Sequence, residues 1–303
     1  MRARLIAAFA AVYIIWGSTY LAIRFAVQTL PPLLMASARF VIAGILVLLW
    51  ARWREGAAWP NRVEWRVGVI GGALLLLGGN GGVSWAEQHV PSGIAALLVA
   101  IVPLWMVLLD WLRPGGTRPR AAVFAGVTLG LVGLAVLVGP DALKTGSSAD
   151  ALGALVLVLA SLSWAAGSLY TKFAPRAAST TIGTGTQMLA GGLTLLVAAI
   201  VAGEPARLDL AHASTSSLVA FAYLLTFGSL IGFTAYVYLL AHTTAAKAAT
   251  YAYVNPVVAV LLGWAIGHEP VTMRTMLAAA VILGGVAIIT ITRDATSVSR
   301  ADR

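Results

Sequence analysis

The sequence predicts an all-α polytopic membrane protein of ten transmembrane helices, arranged as two inverted five-helix repeats around a central cavity. Three observations predict this fold: the composition, the spacing of apolar segments, and a fixed offset between related residues of the two halves. Hydrophobic residues make up 60% of the 303 residues and charged residues only 10%, with a mean hydropathy of +0.90. Because soluble domains are roughly half apolar and about a quarter charged, this composition indicates a membrane protein.

Apolar segments near the roughly 20 residues that a helix needs to cross a bilayer recur along the chain. Arg2 and Arg4 precede the first segment, which has no convincing cleavage site, so we expect a retained helix rather than a signal peptide. Residues 87–91 divide the longest apolar tract and are expected to form a tight turn. The predicted segments are 6–25, 32–50, 67–85, 92–112, 121–138, 152–170, 182–202, 218–240, 245–267 and 273–291.

The formal net charge of +9 does not indicate a nucleic-acid partner, because the Lys and Arg residues lie in short loops between apolar segments. Such a distribution follows the positive-inside rule and predicts that both termini are cytoplasmic. The loops then assigned to the outside contain only four basic residues, Arg24, Lys144, Arg207 and Arg274. Cysteine is absent, so no disulfide framework is available.

A constant offset relates the two halves. In the first two helices and their counterparts the offset is 148 residues, as in Trp16 and Trp164, Arg24 and Lys172, and Arg39 and Gln187. Further along it is 153 residues, as in Gly79 and Gly232 and in Pro103 and Pro256. Because each repeat has an odd number of helices, the second must be inverted in the membrane. We therefore assign residues 1–140 to the first repeat, 150–292 to the second and 293–303 to a cytoplasmic tail.

The two equivalent helices, the first and the sixth, are expected to line the cavity, since inverted repeats place their substrate site at the repeat interface. One face of the first helix has Trp16 and Tyr20, and the equivalent face of the sixth has Trp164 and Ser168. Packing between helices is the alternative to a role in lining the cavity. Trp85 and Trp105 are also too deep for an interfacial aromatic belt. The candidate substrate-binding residues are Trp16, Tyr20, Asn80, Trp85, Trp105, Trp164, Ser168, Tyr238, Tyr251 and Asn255.

Pro103 and Pro256 are predicted hinges because each removes a backbone donor at mid-depth of its helix. A kink buried by neighbouring helices is the alternative. Lys247, Tyr251 and Asn255 form a stripe that ends beside Pro256. Lys247 is a candidate charge partner of a substrate, or a side chain that extends to the membrane surface.

Arg39 is the only charged residue well inside an apolar segment. An Arg at the bilayer centre costs roughly 2.5 to 3.5 kcal/mol on insertion scales, so it should face protein or water. It is a candidate partner for a carboxylate, although a structural tie to helix-end carbonyls is the favoured interpretation. Arg24 and Lys172 end their helices and are expected to be structural.

No Asp or Glu occupies the middle of a predicted helix, and Glu87 lies near a helix end. Because proton-driven transporters usually need a buried carboxylate, a facilitator or exchanger is favoured. The four His are near helix ends, and no phosphate-binding loop is present. We therefore predict no metal, no cofactor and no enzymatic activity.

Three stretches carry a family resemblance: 14–20 (IIWGSTY), 90–96 (VPSGIAA) and 251–263 (YAYVNPVVAVLLG). They are similar to the drug/metabolite transporter superfamily with two EamA repeats. The resemblance covers nearly the whole chain and implies a bacterial inner-membrane permease that exports amino acids, metabolites or drugs through a central cavity. The Gly-Glu pair typical of this family after its ninth helix is interrupted here by His268, and the first repeat has no acid at the equivalent place.

The resulting functional prediction is a secondary transporter of small organic metabolites, amino acids or related amphipathic compounds first among them, that works by alternating access. A passive channel-like facilitator and a multidrug exporter are the alternatives, and an intramembrane enzyme is disfavoured. The predicted partners are a small-molecule substrate and the lipid bilayer, with no nucleic acid. Gly126 and Gly130 form a small-residue face that packs either within the chain or in a homodimer.

Overall fold

The computed structural model describes residues 2–116, 121–138, 148–243 and 248–301. Those residues form helices and connecting turns, with no strand among them. We number the helical segments in chain order: α1 (Arg2–Ala26), α2 (Pro32–Glu55), α3 (Arg62–Ala86), α4 (Ser92–Leu112), α5 (Ala121–Val138), α6 (Ser148–Phe173), α7 (Thr180–Val201), α8 (Thr215–His242), α9 (Tyr251–Ala265) and α10 (Met273–Ala301).

Seven helices of the described part, α1 to α4 and α6 to α8, are long and apolar enough to cross a membrane. Shorter apolar helices, Val254–Ala265 and Met273–Gly285, lie within α9 and α10. Most predicted segments match the helices to within a few residues. The exception is α10, which continues as a helix through the polar tail to Ala301. The beginning of the predicted ninth segment falls partly outside the described residues.

The C-terminal end of α2 has the residues expected at a membrane interface. Trp50 and Trp53 are 54% and 78% exposed, and the guanidinium of Arg54 lies 5.6 and 5.5 Å from their ring centres. This arrangement is typical of the aromatic belt at the headgroup level. Trp264 on α9 is 59% exposed, so it faces outward rather than into the bundle.

Acidic side chains link the two repeats at the ends of α2 and α7. Glu64, at the beginning of α3, accepts hydrogen bonds from the backbone N–H of Asn61 (2.7 Å) and from that of Ala178 (2.9 Å), just before α7. Glu204, after α7, accepts one from the backbone N–H of Leu34 in the first turn of α2 (2.7 Å). A carboxylate at a helix N-terminus satisfies free N–H groups and interacts favourably with the helix dipole. The acid that follows α2 in the chain thus binds the backbone just before α7, and the acid that follows α7 binds the first turn of α2.

Equivalent helices of the two repeats pack directly on each other, α2 against α7 and α5 against α10. A Cβ atom built on Gly44 would lie 2.8 Å from Leu189 Cα, and one on its counterpart Gly192 would lie 2.7 Å from Val41 N. A Cβ atom on Gly285 would approach Gly130 N to 2.8 Å. The small-residue face of α5 therefore packs within the chain, and the homodimer stays a prediction.

The third helix of each repeat contains a π-helical stretch at an equivalent position, Ala73–Gly81 in α3 and Leu224–Phe233 in α8. Such wide turns are rare and occur frequently at functional sites. The stretch in α3 packs against α6 and the one in α8 against α1, so each repeat's first helix contacts the other repeat's irregular helix. In α4 the helix is interrupted at Ala100 and Ile101, next to Pro103, whereas α9 continues through Pro256.

Candidate functional site

A small cavity of about 60 Å³ lies at the interface of the two repeats, between α1, α2, α3, α6, α8 and α9. We call it the central cavity. Of the predicted site residues, the structure brings seven to its lining: Trp16, Tyr20, Arg39, Asn80, Trp164, Tyr251 and Asn255. Both helix faces singled out by the duplication therefore meet at one place, with polar groups contributed by α2, α3 and α9.

Four rings pack on one another and form what we call the aromatic cluster: Trp16, Trp164, Tyr236 and Tyr251. All of them except Tyr236 line the central cavity. The centre of the Trp16 ring lies 5.3, 4.9 and 5.4 Å from those of Trp164, Tyr236 and Tyr251. These spacings are those of favourable edge-to-face and tilted aromatic pairs. The cluster joins helices of both repeats.

Tyr236 is the member of this cluster that the sequence analysis missed. It is fully buried, and its hydroxyl accepts a hydrogen bond from Trp164 Nε1 (3.3 Å) and shares one of 2.6 Å with Ser168 Oγ. Ser168 in turn donates to the Trp164 carbonyl (2.7 Å). Ser168 thus supports the cluster from behind instead of lining the cavity, and nothing in the periodicity of α8 distinguishes Tyr236 from its neighbours.

Glycines in the two π-helical stretches let the tryptophans approach. A Cβ atom on Gly79 would lie 2.7 Å from Trp164 Cε3, and one on Gly232 would lie 2.8 Å from Trp16 Cδ1. The two contacts are equivalent, since Gly79 and Gly232 are related by the offset of 153 residues. The duplication detected in the sequence is therefore also a duplication of the site's packing.

Arg39 is 2% exposed and supplies the positive charge of the central cavity. Its Nη2 donates to Asn80 Oδ1, its guanidinium carbon lies 4.5 Å from the centre of the Phe40 ring, and its Nε has no partner among the described residues. The favoured interpretation, a tie to helix-end carbonyls, is wrong for the bond that the structure shows, which goes to a side chain of α3.

Asn255 and Tyr251 bring the polar stripe of α9 to the cavity. With its amide nitrogen turned toward them, Asn255 donates to the backbone carbonyls of Tyr13 (3.1 Å) and Tyr251 (3.2 Å). A buried Asn held in this way keeps its amide oxygen available as an acceptor. Lys247, the third member of the predicted stripe, lies outside the described residues.

Besides Ser168, three predicted substrate-binding residues do not line the central cavity. The Trp85 ring lies 5.2 Å from that of His89, Trp105 Nε1 donates to Ser161 Oγ (2.9 Å), and the Tyr238 ring stacks on His242 at 4.0 Å. Each of these side chains has a local partner that accounts for its position. The packing interpretation therefore fits them better than substrate contact.

Charged residues cluster at the end of the bundle where α1 ends, which we call the Arg24 end. Arg24 Nη1 donates to the backbone carbonyls of Glu87 (2.7 Å) and Val90 (3.4 Å). Glu269 accepts from the backbone N–H groups of Ser92 (2.8 Å) and Gly93 (3.1 Å) at the start of α4. The acid after α9 thus caps a helix of the other repeat.

Glu87 has no exposed surface, and neither carboxylate oxygen has a hydrogen-bond partner among the described residues. The sequence favours a facilitator or exchanger because no acid occupies the middle of a predicted helix, and Glu87 does lie at a helix end, but it is buried there. A position near a helix end does not imply exposure, because the turn after α9 covers this helix end. Burial raises the pKa of Glu87 well above its usual range, and Arg24 and Arg39 only partly oppose this effect.

A second cavity, of about 350 Å³, opens at the opposite end of the bundle between α3, α6, α7 and α8. We call this the Lys172 end. Lys172 Nζ donates to the backbone carbonyls of Leu240 (3.0 Å) and Thr243 (2.8 Å), which are the counterparts of Glu87 and Val90. Along α6, Trp164 lines the central cavity and Thr171 the second cavity, about 10 Å apart at a rise of about 1.5 Å per residue. Ser168 and Tyr236 lie between them.

A family model for the EamA-like transporter family matches residues 3–139 and 151–291. The chain is 42% identical to the uncharacterized inner membrane transporter YedA of Escherichia coli (strain K12), over 93% of this chain and 89% of that protein. It is 25% identical to the uncharacterized transporter YoaV of Bacillus subtilis (strain 168), over 93% and 94% of the two chains.

A solved structure, described only as the crystal structure of a protein, is similar to the fold. It has a TM-score of 0.68 and 23% sequence identity, and the match covers 95% of this chain and 98% of that one. At that identity the likeness concerns the fold alone.

Proposed function

Because the chain belongs to the EamA-like transporter family, we propose that this multi-pass inner membrane transporter moves small zwitterionic solutes, amino acids first among them, by alternating access. The proposed topology has ten spans, in two inverted repeats of five, with both termini in the cytoplasm. In this orientation the Lys172 end faces the cytoplasm and the Arg24 end faces outward, as the charge bias predicts.

The observation that carries the proposed substrate class is the meeting of Arg39 with the aromatic cluster at one cavity. A buried guanidinium with an unpaired N–H suits a carboxylate, because charge-assisted hydrogen bonds are roughly twice as strong as neutral ones. Faces of Trp16 and Trp164 suit an ammonium group or an apolar side chain. Asn80 and Asn255 add hydrogen-bonding groups that fix the orientation of a small solute.

The two ends of the bundle support alternating access as the mechanism. The central cavity, of about 60 Å³, is below the roughly 300 to 1,000 Å³ of most ligand pockets, so a substrate requires the surrounding helices to separate. The second cavity already separates them at the Lys172 end, whereas the Arg24 end is packed. In inverted-repeat transporters, exchange of the two repeats' conformations moves the opening to the other side.

Counterflow in proteoliposomes tests the proposal. Vesicles preloaded with an unlabelled amino acid are expected to accumulate the labelled amino acid faster than vesicles loaded with buffer alone. The panel of test solutes also includes the corresponding amine, which lacks the carboxylate, and the corresponding carboxylic acid, which lacks the ammonium group. Stimulation by solute on the opposite side separates a transporter from a passive channel. Flux no higher than in protein-free vesicles across the panel would contradict the proposed function.

Arg39→Gln is the sharpest variant, because it gives the first repeat the residue that the second repeat has at position 187. Loss of a hydrogen bond to a charged group, about 1.5 to 3 kcal/mol, corresponds to a loss of tenfold or more in flux of the zwitterion. Flux of the amine lacking the carboxylate should change little. Arg207→Gln, at a 60% exposed side chain, is the matched control. Equal losses for zwitterion and amine would assign Arg39 to packing, and equal transport of both by the parent protein would favour the multidrug alternative.

A further inference from the structure

Glu87 is a buried acid with no role in the proposed binding of substrate. It follows α3 directly, in the turn that leads to α4, four residues after Val83, which lines the central cavity. Tyr20, Arg24 and Arg39 face it from α1 and α2, and Glu269 faces it from the turn after α9. Glu87 therefore lies where the packed end must separate if the cavity is to open outward.

The neighbouring charges are engaged elsewhere. Arg24 donates to two backbone carbonyls, Arg39 donates to Asn80, and both oxygens of Glu269 accept from backbone N–H groups of α4. Neither oxygen of Glu87 has a hydrogen-bond partner in the part of the chain that the structure describes. An ionised carboxylate without partners is very costly to bury, whereas the neutral acid is much less so.

Two other buried carboxylates show the contrast. Both oxygens of Glu64 accept backbone N–H groups, and Glu204 accepts one from α2. These carboxyl groups are therefore held by backbone donors near helix N-termini, which Glu87 is not. At the place equivalent to Glu87 in the second repeat the chain has Leu240, which is uncharged and buried.

We propose that Glu87 is a proton-binding site that lets the Arg24 end close only when the carboxyl group is neutral. This inference rests on the proposed function, because it concerns the opening of one end during alternating access. When the end is packed, the carboxyl group holds its proton away from water. When the end separates, water reaches the carboxyl group and the proton leaves to the outer solution.

The sign of the pH dependence follows from linkage. Because the pKa of Glu87 is raised in the packed state, that state binds the proton more tightly than the opened state does. Packing is therefore favoured at low pH and is lost as pH rises through the packed-state pKa. For one proton, the ratio of packed to opened molecules changes by at most tenfold per pH unit between the two pKa values.

Thiol labelling measures this equilibrium without any substrate, and the chain has no native cysteine to interfere. Ala26→Cys places a reporter at a fully buried position of the Arg24 end, and Gln28→Cys places one at an exposed position of the same end. A membrane-impermeant maleimide is added outside proteoliposomes over a pH series. The Ala26→Cys rate is divided by the Gln28→Cys rate at each pH to remove the intrinsic pH dependence of thiol reactivity.

We expect the normalised rate to rise with pH in the parent protein. In Glu87→Gln, which mimics the neutral acid, it should stay low at every pH, and in Glu64→Gln the pH dependence should remain. A pH-independent rate in the parent, or the same slope in Glu87→Gln, would overturn the inference.

A protonated-carboxyl infrared band at neutral pH should disappear in Glu87→Gln, and its absence from the parent protein would also overturn the inference. If the protein shows no counterflow but its labelling still depends on Glu87, the proposed function is refuted and the inference about Glu87 stands.

Discussion

The Arg24 end and the Lys172 end are built by the same backbone contacts but have different side chains. At each end a cation from the first helix of one repeat donates to two carbonyls at or just after the end of the third helix of the same repeat. Around that common feature the first repeat has Arg39, Asn80 and Glu87, whereas the equivalent positions of the second repeat are Gln187, Phe233 and Leu240. The duplication kept the framework and changed the chemistry of the lining.

This difference indicates that the two ends have different tasks. Near the Arg24 end Arg39 and Glu87 are buried, and Glu87 has no hydrogen-bond partner in the described ranges, so opening of this end changes the solvation of charged groups. The Lys172 end already has a cavity of about 350 Å³, lined by Gln187 and Thr171, which hydrogen-bond each other at 2.8 Å. Glu64 and Lys172 also line this cavity, and both are held by hydrogen bonds to backbone groups. Among the described residues Glu87 at the packed end has no such bond, so opening the Arg24 end has the larger effect on a buried charge.

The largest expected effect comes from the tryptophans that the repeats share. Trp164 is 9% exposed, and replacing a buried Trp by Ala costs about 3 to 5 kcal/mol. Trp164→Ala should therefore destabilise more than Trp16→Ala, whose ring is only partly buried. Thermal unfolding of the detergent-solubilised variants measures the difference, with the exposed Trp53→Ala as control. A smaller loss of stability for Trp164→Ala than for Trp16→Ala would contradict the expectation that the more buried ring contributes more to packing.

A smaller effect is expected at the two cations. Arg24→Gln and Lys172→Gln each remove charged donors from two carbonyls, at about 1.5 to 3 kcal/mol for a hydrogen bond to a charged group, reduced where the site is partly exposed. If the two ends differ as proposed, Arg24→Gln should also raise outward accessibility of Ala26→Cys, whereas Lys172→Gln should leave it unchanged. Maleimide labelling measures this, and equal responses to the two variants would remove the distinction between the ends.

The smallest expected effect is at the aromatic residues outside the central cavity. Trp85→Phe and Trp105→Phe should change counterflow by less than about twofold, since core changes that keep most of the volume usually cost under about 1.5 kcal/mol. Tyr20→Phe changes a residue that lines the central cavity and should reduce counterflow more than either. The assay is counterflow normalised to inserted protein. A larger loss for Trp105→Phe than for Tyr20→Phe would place substrate contact away from the cavity described above.

Much of the site could be predicted because it lies on the two helices related by a single offset. Trp16, Tyr20 and Trp164 were found from helix periodicity and duplication, and both are local properties of the chain. The stripe of Tyr251 and Asn255 was found in the same way. Trp85, Trp105 and Tyr238 were included on depth and aromatic character alone, and these properties do not tell which neighbour a ring contacts.

The sequence by itself determined that this chain is a duplicated membrane protein, because hydropathy and a constant residue offset depend only on the order of residues. Tertiary structure alone decided that Tyr236 joins the aromatic cluster, that Arg39 pairs with Asn80, and that Glu87 is buried with no hydrogen-bond partner among the residues described. Each of these outcomes depends on side chains from helices far apart in the chain. Burial and pairing are properties of the space between helices, and that space exists only after the two repeats have packed together.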